Sequence, residues 1–489
     1  MPTATSTKVL IGLEIHVQLL TESKMFTAAK NGFGGSPNEQ VDPMVMGLPG
    51  TLPVMNKKAV EHSIVTGLAL GCTIAERCKW DRKSYYYPDL PKNYQISQYD
   101  QPLCYEGQYS ITLPDGTEKA VRIRRAHLEE DSGKLLHDAP GGYHIDYSIV
   151  DLNRAGTPLL EIVTEPDFDS PESVAAFARE LQQLVQYLGV SEGQMQMGHM
   201  RFEPNINVHI TDDSGTVHKT AITEIKNLNS FNVVEKATAY EIKRQIRVWE
   251  QTGDLGKKAT YGWDDAKQQT VMQREKEEAH DYRYFPDPDL MPVEVSEGWL
   301  TELKGRIGEL PAARLKRYKE ALGLNEQLAA DLSQHKEIGD FLDATIEAGA
   351  EPKRAAVLVE TIREMAKERS EPFGSINVKP AGAAEVAKLA EAGKIAASKE
   401  VARKVLEEMA GTGKTAEQAA QDAGVIQSTD TGPLDEAIDE LIAQNPKPLQ
   451  QYREGKTAAI GALVGMLMKQ GKGFNPKLVK ERLEAKLGS

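Results

Sequence analysis

The sequence predicts an α+β protein in which a β-rich region of roughly 290 residues precedes a helical region of roughly 190. Gly, Pro and Asp punctuate short alternating segments as far as Pro286-Asp287-Pro288-Asp289. Beyond that point the composition shifts to Ala, Glu, Lys and Leu at helical spacing, and no clean repeat period appears. The 489 residues suffice for about three domains. No window approaches the ~18 apolar residues of a membrane span, and the N-terminus lacks the basic segment and apolar core of a secretory signal. A soluble, cytoplasmic protein without membrane contact is expected. Cys72, Cys78 and Cys104 are odd in number and form no CxxC pair, so they read as reduced core residues. A formal charge of -14 argues against a surface that binds nucleic acid throughout, and leaves room for a local basic patch.

From Val9 to Leu19 the odd positions are all apolar, while Gly12, Glu14, His16 and Gln18 fall on the other face. With period two this is a half-buried strand that presents Glu14 and His16 together. Arg201 to Thr211 reads the same way, with Phe202, Ile206, Val208 and Ile210 inward and Arg201, Glu203, Asn205, Asn207 and His209 opposite. Pro114-Asp115-Gly116 is turn chemistry between two β-rich runs, which predicts a hairpin over Ser110–Ile123. Ser170 as cap, Pro171 at the first position and apolar residues at helical spacing predict a helix that stops at Gly189. Another is predicted from about Asn232 to Gln251. In the second region helices are predicted near 311–322, 333–348, 352–369, 382–393 and 398–409, with joints at Gly411-Thr412-Gly413 and Ser428-Thr429-Asp430-Thr431-Gly432-Pro433.

The strongest chemical signal is His127-Leu128-Glu129-Glu130-Asp131, three carboxylates and an imidazole within five residues. Such a run is either a solvated acidic turn or a cation site, and hard oxygen donors with one nitrogen suit Mg²⁺ or Mn²⁺ better than zinc. Glu14 and His16 on one strand, Glu203 on another and Glu224 in a third segment add carboxylates able to converge on one cation. The alternative is the water-facing side of an antiparallel sheet. Lys79 to Tyr99 packs five tyrosines with Lys79, Arg82, Lys83 and Lys92. That pattern either lines a polar tunnel or is a loop whose tyrosines pack on the core while the lysines snorkel. Gly411-Thr412-Gly413-Lys414-Thr415 ends like a phosphate-binding loop, but Glu408 stands where its first glycine belongs, so it is discounted.

Seven segments, GLEIHVQL (12–19), GLPGTLPV (47–54), DRKSYYYPDLPK (81–92), HLEED (127–131), DLNRAGTPLLE (151–161), TEIKNLNS (223–230) and HDYRYFP (280–286), together resemble the B subunit of the tRNA-dependent amidotransferases, in the same order along the whole chain. The resemblance implies a cradle domain over residues 1–294 around a mainly antiparallel sheet, a helical domain over 295–408 and a helical, tRNA-binding tail over 409–489. It implies a ligase that converts Glu-tRNA(Gln) to Gln-tRNA(Gln), or Asp-tRNA(Asn) to Asn-tRNA(Asn). Its implied partners are an amidase, the A subunit of such enzymes, together with the small C subunit. ATP and Mg²⁺ would serve to phosphorylate the side-chain carboxylate, and ammonia from the amidase would displace phosphate. By motif, Glu14, His16, Glu129, Glu130, Glu203 and Glu224 are the implied metal ligands. Lys83, Tyr85, Tyr86 and Lys92 border the ammonia path; Glu14, His16, Glu129, Glu130, Lys83 and Lys92 form the catalytic set. Arg201, Lys226 and Asn227 are the implied partners of ATP. Two departures stand out: Thr27, Ala29, Asp42 and Val45 occupy positions where many members carry zinc-binding cysteines, so no structural zinc is expected, and Glu203 replaces a usual aspartate. The alternative reading is a scaffold that holds misacylated tRNA without chemistry.

From Asn445 to Ser489 nine Lys and Arg face three acidic residues, a net +6, which leaves -20 on the remaining 444 residues. Lys469, Lys472, Lys477 and Lys480 in this basic end are the expected tRNA contacts.

Overall fold

The alternation from Val9 to Leu19 is realised as the strand Ala4–Gln18 at the heart of a ten-stranded sheet. The computed structural model describes residues 3–139, 142–275, 279–427, 431–445, 450, 458–469, 474 and 476–487. Across the sheet the main order runs Gln269–Glu275, Ala259–Asp264, Thr223–Lys226, Met200–Asp212, Ala4–Gln18, Pro158–Thr164, Glu118–Glu130, Cys104–Thr112 and Thr73–Ile74. Every pairing is antiparallel except that of Thr223–Lys226 with Ala259–Asp264, and Val217–Lys219 adds a short strand beside Met200–Asp212. Ile11, Leu13, Ile15 and Val17 are fully buried, as are Phe202, Ile206, Val208 and Ile210 on the neighbouring strand. The expected hairpin forms, with Leu113 closing the turn onto Thr117.

One face of the sheet is covered by helices, which is how an antiparallel sheet hides a single apolar side. Pro171–Tyr187 is capped by Ser170, and Phe231–Thr252 by Ser230. Phe177 meets Phe168 edge-on at 5.3 Å, and Phe231 meets Phe202 at 6.0 Å, so both helices lock onto the strands beneath them. A third helix, Lys57–Ala69, has no counterpart in the helices read from the sequence. It is buried nearly all round, so it carries no polar stripe to give a period.

Opposite the helices stands a small wall. Asp81–Ser84 and Tyr94–Ser97 pair as a hairpin, and Phe285–Pro286 joins as a third strand. Arg82 ties the wall together, donating to Asp287 and to Asp289 at 2.8 Å each. The Pro-Asp-Pro-Asp segment therefore folds back onto the β-rich region. Val293–Glu294 pairs with Arg77–Cys78, and helix Glu297–Ile307 packs on Lys57–Ala69 through buried Leu303 and Ile307. The first compact unit thus runs to Leu310, past the boundary expected at residue 294.

The second unit, Pro311–Ser489, is helical in its described residues and holds two apolar cores. The helices from Pro311–Glu320 through Ala416–Asp422 share the first; Leu434, Ile438, Leu463, Leu467, Val479 and Leu483 belong to the second. Helix Lys399–Thr412 runs across the boundary expected at 408, and Ala416, Ala419 and Ala420 still belong to the first core. Gly413 ends that helix with φ 68, Lys414 pairs with Asp422 at 2.7 Å, and Thr415 opens the next helix with a capping box. The GTGKT run is a corner between helices, as its missing first glycine indicates.

All three cysteines are free and buried. Burial pushes the Cys72 thiol up to about 12 and the Cys78 thiol up to about 11. The folded protein is expected to resist iodoacetamide at pH 8 at all three positions, as read by mass spectrometry, and to take up three carbamidomethyl groups once unfolded in urea. Rapid labelling of the folded protein would contradict the placement of these thiols.

Candidate active site

Strand pairing sets out the open face of the sheet in rows. In one row His127, Glu161, His16 and Arg201 lie on four adjacent strands; in the next, Arg125, Val163, Glu14 and Glu203 do. Alternation within each strand keeps these side chains on one face, away from the helices. All of them but Arg201 line a cavity of about 300 Å³ together with Glu224, Lys226 and, from the small wall, Lys83, Tyr99, Tyr282 and Tyr284.

The carboxylates form two groups where the sequence suggested one. His16, Glu129 and Glu161 each offer a ligand atom within 4.8 Å of one another, and so do Glu14, Glu203 and Glu224. His16 links them: its Nε2 lies 3.7 Å from Glu129 and 3.8 Å from Glu161, and its Nδ1 lies 3.9 Å from Glu203. Glu161 also meets His127 Nε2 at 3.3 Å. Burial works against the charge of Glu161, but His127, His16 and Lys83 outweigh it and hold its carboxyl well below the usual range. Lys226 lies 2.9 Å from Glu203 and 3.8 Å from Glu224, and these partners overcome burial to raise its pKa. Lys83 is raised well above its ordinary value in the same way, because Glu129, Tyr284 and Glu161 outweigh burial.

The donor set tests whether a cation belongs here. Each group is rich in hard oxygen donors, and only the first adds an imidazole, a composition that suits Mg²⁺ or Mn²⁺. The Nδ1 atoms of His16 and His127 are buried without a hydrogen-bond partner, so the imidazoles are not saturated by the protein. The residues present fit a divalent cation.

Glu130 is turned away from both groups. The run His127 to Glu130 lies on the strand Glu118–Glu130 and is buried, so it is not a solvated turn, and adjacent residues on a strand face opposite sides. Glu130 instead accepts from Lys92 and, at 3.0 Å, from the backbone N–H of Ile96. Lys83 does face the cavity, with its ammonium 5.0 Å from the Tyr282 ring centroid. Tyr85 packs edge-on to Tyr282 and donates to Gln95 at 3.2 Å, whereas Tyr86 is 68% exposed. Arg201 is tied to Asp131, which Gln18 and Arg154 also approach. Asn227 follows the strand Thr223–Lys226 with φ 64 and is exposed. At the positions where zinc is not expected, Thr27 donates to Asp42 and the N–H of Val45 donates to Asp42 at 2.9 Å.

Several site residues carry no assignment from sequence. Glu161 is the most telling, a carboxylate inside the apolar run Leu159-Leu160-Glu161-Ile162-Val163 of a central strand, where a charge calls for a reason. Tyr284 stacks on Tyr99 with ring centroids 4.4 Å apart, and no local pattern announces that pairing across 185 residues.

Two family models match. Residues 9–301 match one described as the GatB/GatE catalytic domain, and residues 340–487 match one described as the GatB domain. Curated proteins named as the B subunit of aspartyl/glutamyl-tRNA(Asn/Gln) amidotransferase are similar over nearly their full length. The one from Thermodesulfovibrio yellowstonii is 44% identical over 475 residues, 96% of this chain and 97% of that one. That from Moorella thermoacetica is 43% identical over 482 residues, 98% and 99%. That from a Synechococcus species is 42% identical over 491 residues, 99% of each.

Proposed function

Because the chain belongs to the B-subunit family of the aspartyl/glutamyl-tRNA(Asn/Gln) amidotransferases, we propose that it carries out the ATP-dependent amidation of Glu-tRNA(Gln), Asp-tRNA(Asn) or both. The observation that carries this reading is the pair of ligand groups joined at His16 on the open face of the sheet. Phosphoryl transfer asks a protein for positioning and charge neutralisation more than for covalent chemistry. Bound Mg²⁺ would neutralise phosphate oxygens and align the γ-phosphoryl of ATP with the acceptor carboxylate.

The chain's own residues do the rest. His16, Glu129 and Glu161, with Glu14, Glu203 and Glu224, would hold the cations. Lys226, beside Glu203, meets phosphate oxygens at that end. The aminoacyl carboxylate attacks the γ-phosphorus and ADP departs; ammonia then attacks the acyl carbon, and phosphate leaves with its electron pair as the nitrogen gives up a proton. Lys83 and the tyrosine wall limit water at the acyl phosphate and offer hydrogen bonds to incoming ammonia. The ammonia comes from the amidase partner, the A subunit, which is joined by the small C subunit. The reaction belongs in the cytoplasm, where tRNA is charged; no described helix is long and apolar enough to cross a membrane.

Transfer RNA is held in part by the basic C-terminal end. Lys472 lies outside the described residues; Lys469 and Lys477 sit in the helices Ala458–Lys469 and Pro476–Leu487. The Lys480 side chain is 60% exposed, near Glu484, whereas Arg482 and Lys486 turn to Asp435 and Asp439 at 3.3 and 2.6 Å. Lys480 is therefore better placed for phosphate contact than Arg482 or Lys486.

Assembled with its A and C partners, the chain is expected to convert Glu-tRNA(Gln) or Asp-tRNA(Asn) to the amide with ATP, Mg²⁺ and glutamine. ATP hydrolysis should require the misacylated tRNA. An assembled complex that binds this tRNA without hydrolysing ATP would be a scaffold, and the reading would fall.

A further inference from the structure

The cavity carries a cation that the metal groups do not explain. Along the pairing of Pro158–Thr164 with Glu118–Glu130, the register passes from Val163 opposite Arg125 to Thr164 opposite Ile123, which leaves Arg124 as the extra residue of a β-bulge. Bulges re-aim side chains beside active sites. Here both arginines line the cavity. Arg124 is already committed, donating to both oxygens of Glu165 at 2.8 and 2.9 Å. Lys226 holds Glu203, and Lys83 lies over the Tyr282 ring. Among the described residues Arg125 makes no ion pair, and its Nε is buried without a hydrogen-bond partner. A guanidinium in this state lacks an oxyanion.

Resting on the reading above, we infer that Arg125 is the receptor for the side-chain carboxylate of the aminoacyl group. Its position separates this anion from ATP. Three strand spacings, about 14 Å, separate the backbone at Arg125 from that at Glu203, which Lys226 holds, so the two cations are anchored at opposite ends of the row. Arg125 stands two residues from His127 on the same strand and acts electrostatically on Tyr284 in the wall that carries Lys83. The anion it binds therefore sits between the His16 group and the ammonia side, where the acceptor belongs. A guanidinium fork matches a carboxylate through two parallel N–H donors, which an ammonium cannot reproduce.

The test uses the chain assembled with its A and C partners. Arg125→Ala is expected to raise the KM for glutamyl- or aspartyl-tRNA about 10- to 100-fold, with the KM for ATP within about twofold. Arg125→Lys should recover only part of the loss. Independently of turnover, wild type without ATP should bind Glu-tRNA(Gln) more tightly than Gln-tRNA(Gln), whose side chain lacks the carboxylate, and Arg125→Ala should bind the two equally. An unchanged KM for acyl-tRNA, or a rise confined to ATP, would overturn the assignment. If Arg125→Ala does not fold, Arg125→Lys decides by the same comparison. Wild type that shows no acyl-tRNA-dependent ATP hydrolysis would instead sink the functional reading on which the inference rests.

Discussion

Replacing Glu161 by glutamine in the assembled enzyme is expected to lower the single-turnover rate of amidation by about 10³-fold or more, the scale of losing several kcal/mol of transition-state charge stabilisation. The substitution keeps the size of the side chain and removes the charge that sits 3.8 Å from His16 and 3.3 Å from His127. Glu129→Gln should behave alike, since it removes the third member of the same group. Both variants should lose affinity for Mn²⁺, read by its electron spin resonance signal, while the partner's glutaminase activity persists. Full activity with unchanged Mn²⁺ binding would show that this group holds no catalytic cation. The same substitution has an acid-side signature. Because the folded pKa of Glu161 is depressed, its ionisation contributes stability that is complete above the ordinary carboxyl value of about 4.3 and fades as pH falls through the folded value. Glu161→Gln should lack that component of acid sensitivity.

Lys92→Met is expected to destabilise the fold by about 3–5 kcal/mol, seen as a lower urea midpoint, because it strands Glu130 as a buried charge without its partner. The two side chains are only 8% and 6% exposed. Lys92→Met combined with Glu130→Gln should restore most of the loss: the amide has no charge to strand, and its oxygen still accepts from the N–H of Ile96. A single variant within about 1 kcal/mol of wild type would mean that the pair is well hydrated in solution. The prediction separates two duties of Lys92. Any loss of amidation in the double variant, whose fold is restored, reports on passage of ammonia; loss in the single variant alone reports on stability.

Much of the site was legible in the chain because a strand has a period of two. The alternation at Glu14 and His16, and again at Arg201, Glu203 and Asn205, already placed each set on one face, and the structure joins those faces through direct pairing of Glu14 with Glu203. The same rule misleads when the element is misread. Taken as one acidic run, Glu129 and Glu130 read as a pair; on a strand they part, one to His16 and one to Lys92. Glu161 was hidden for the opposite reason, as one charge in an apolar strand whose partners come from elements 34 and 145 residues away, His127 and His16.

The sequence by itself determined the α+β class, the division into β-rich and helical regions, the half-buried strands, the capped helices and the family, because these rest on local periodicity, capping chemistry and ordered motifs. Only the tertiary structure decided that the carboxylates form two groups joined at His16, that Lys92 is paired with Glu130, and that Arg125, beside a bulge at Arg124, faces the cavity without an ion pair among the described residues. Those outcomes depend on register between strands distant in the chain, and a one-residue shift in register exchanges the two faces of a strand. The composition of one strand does not specify the register adopted by its neighbours.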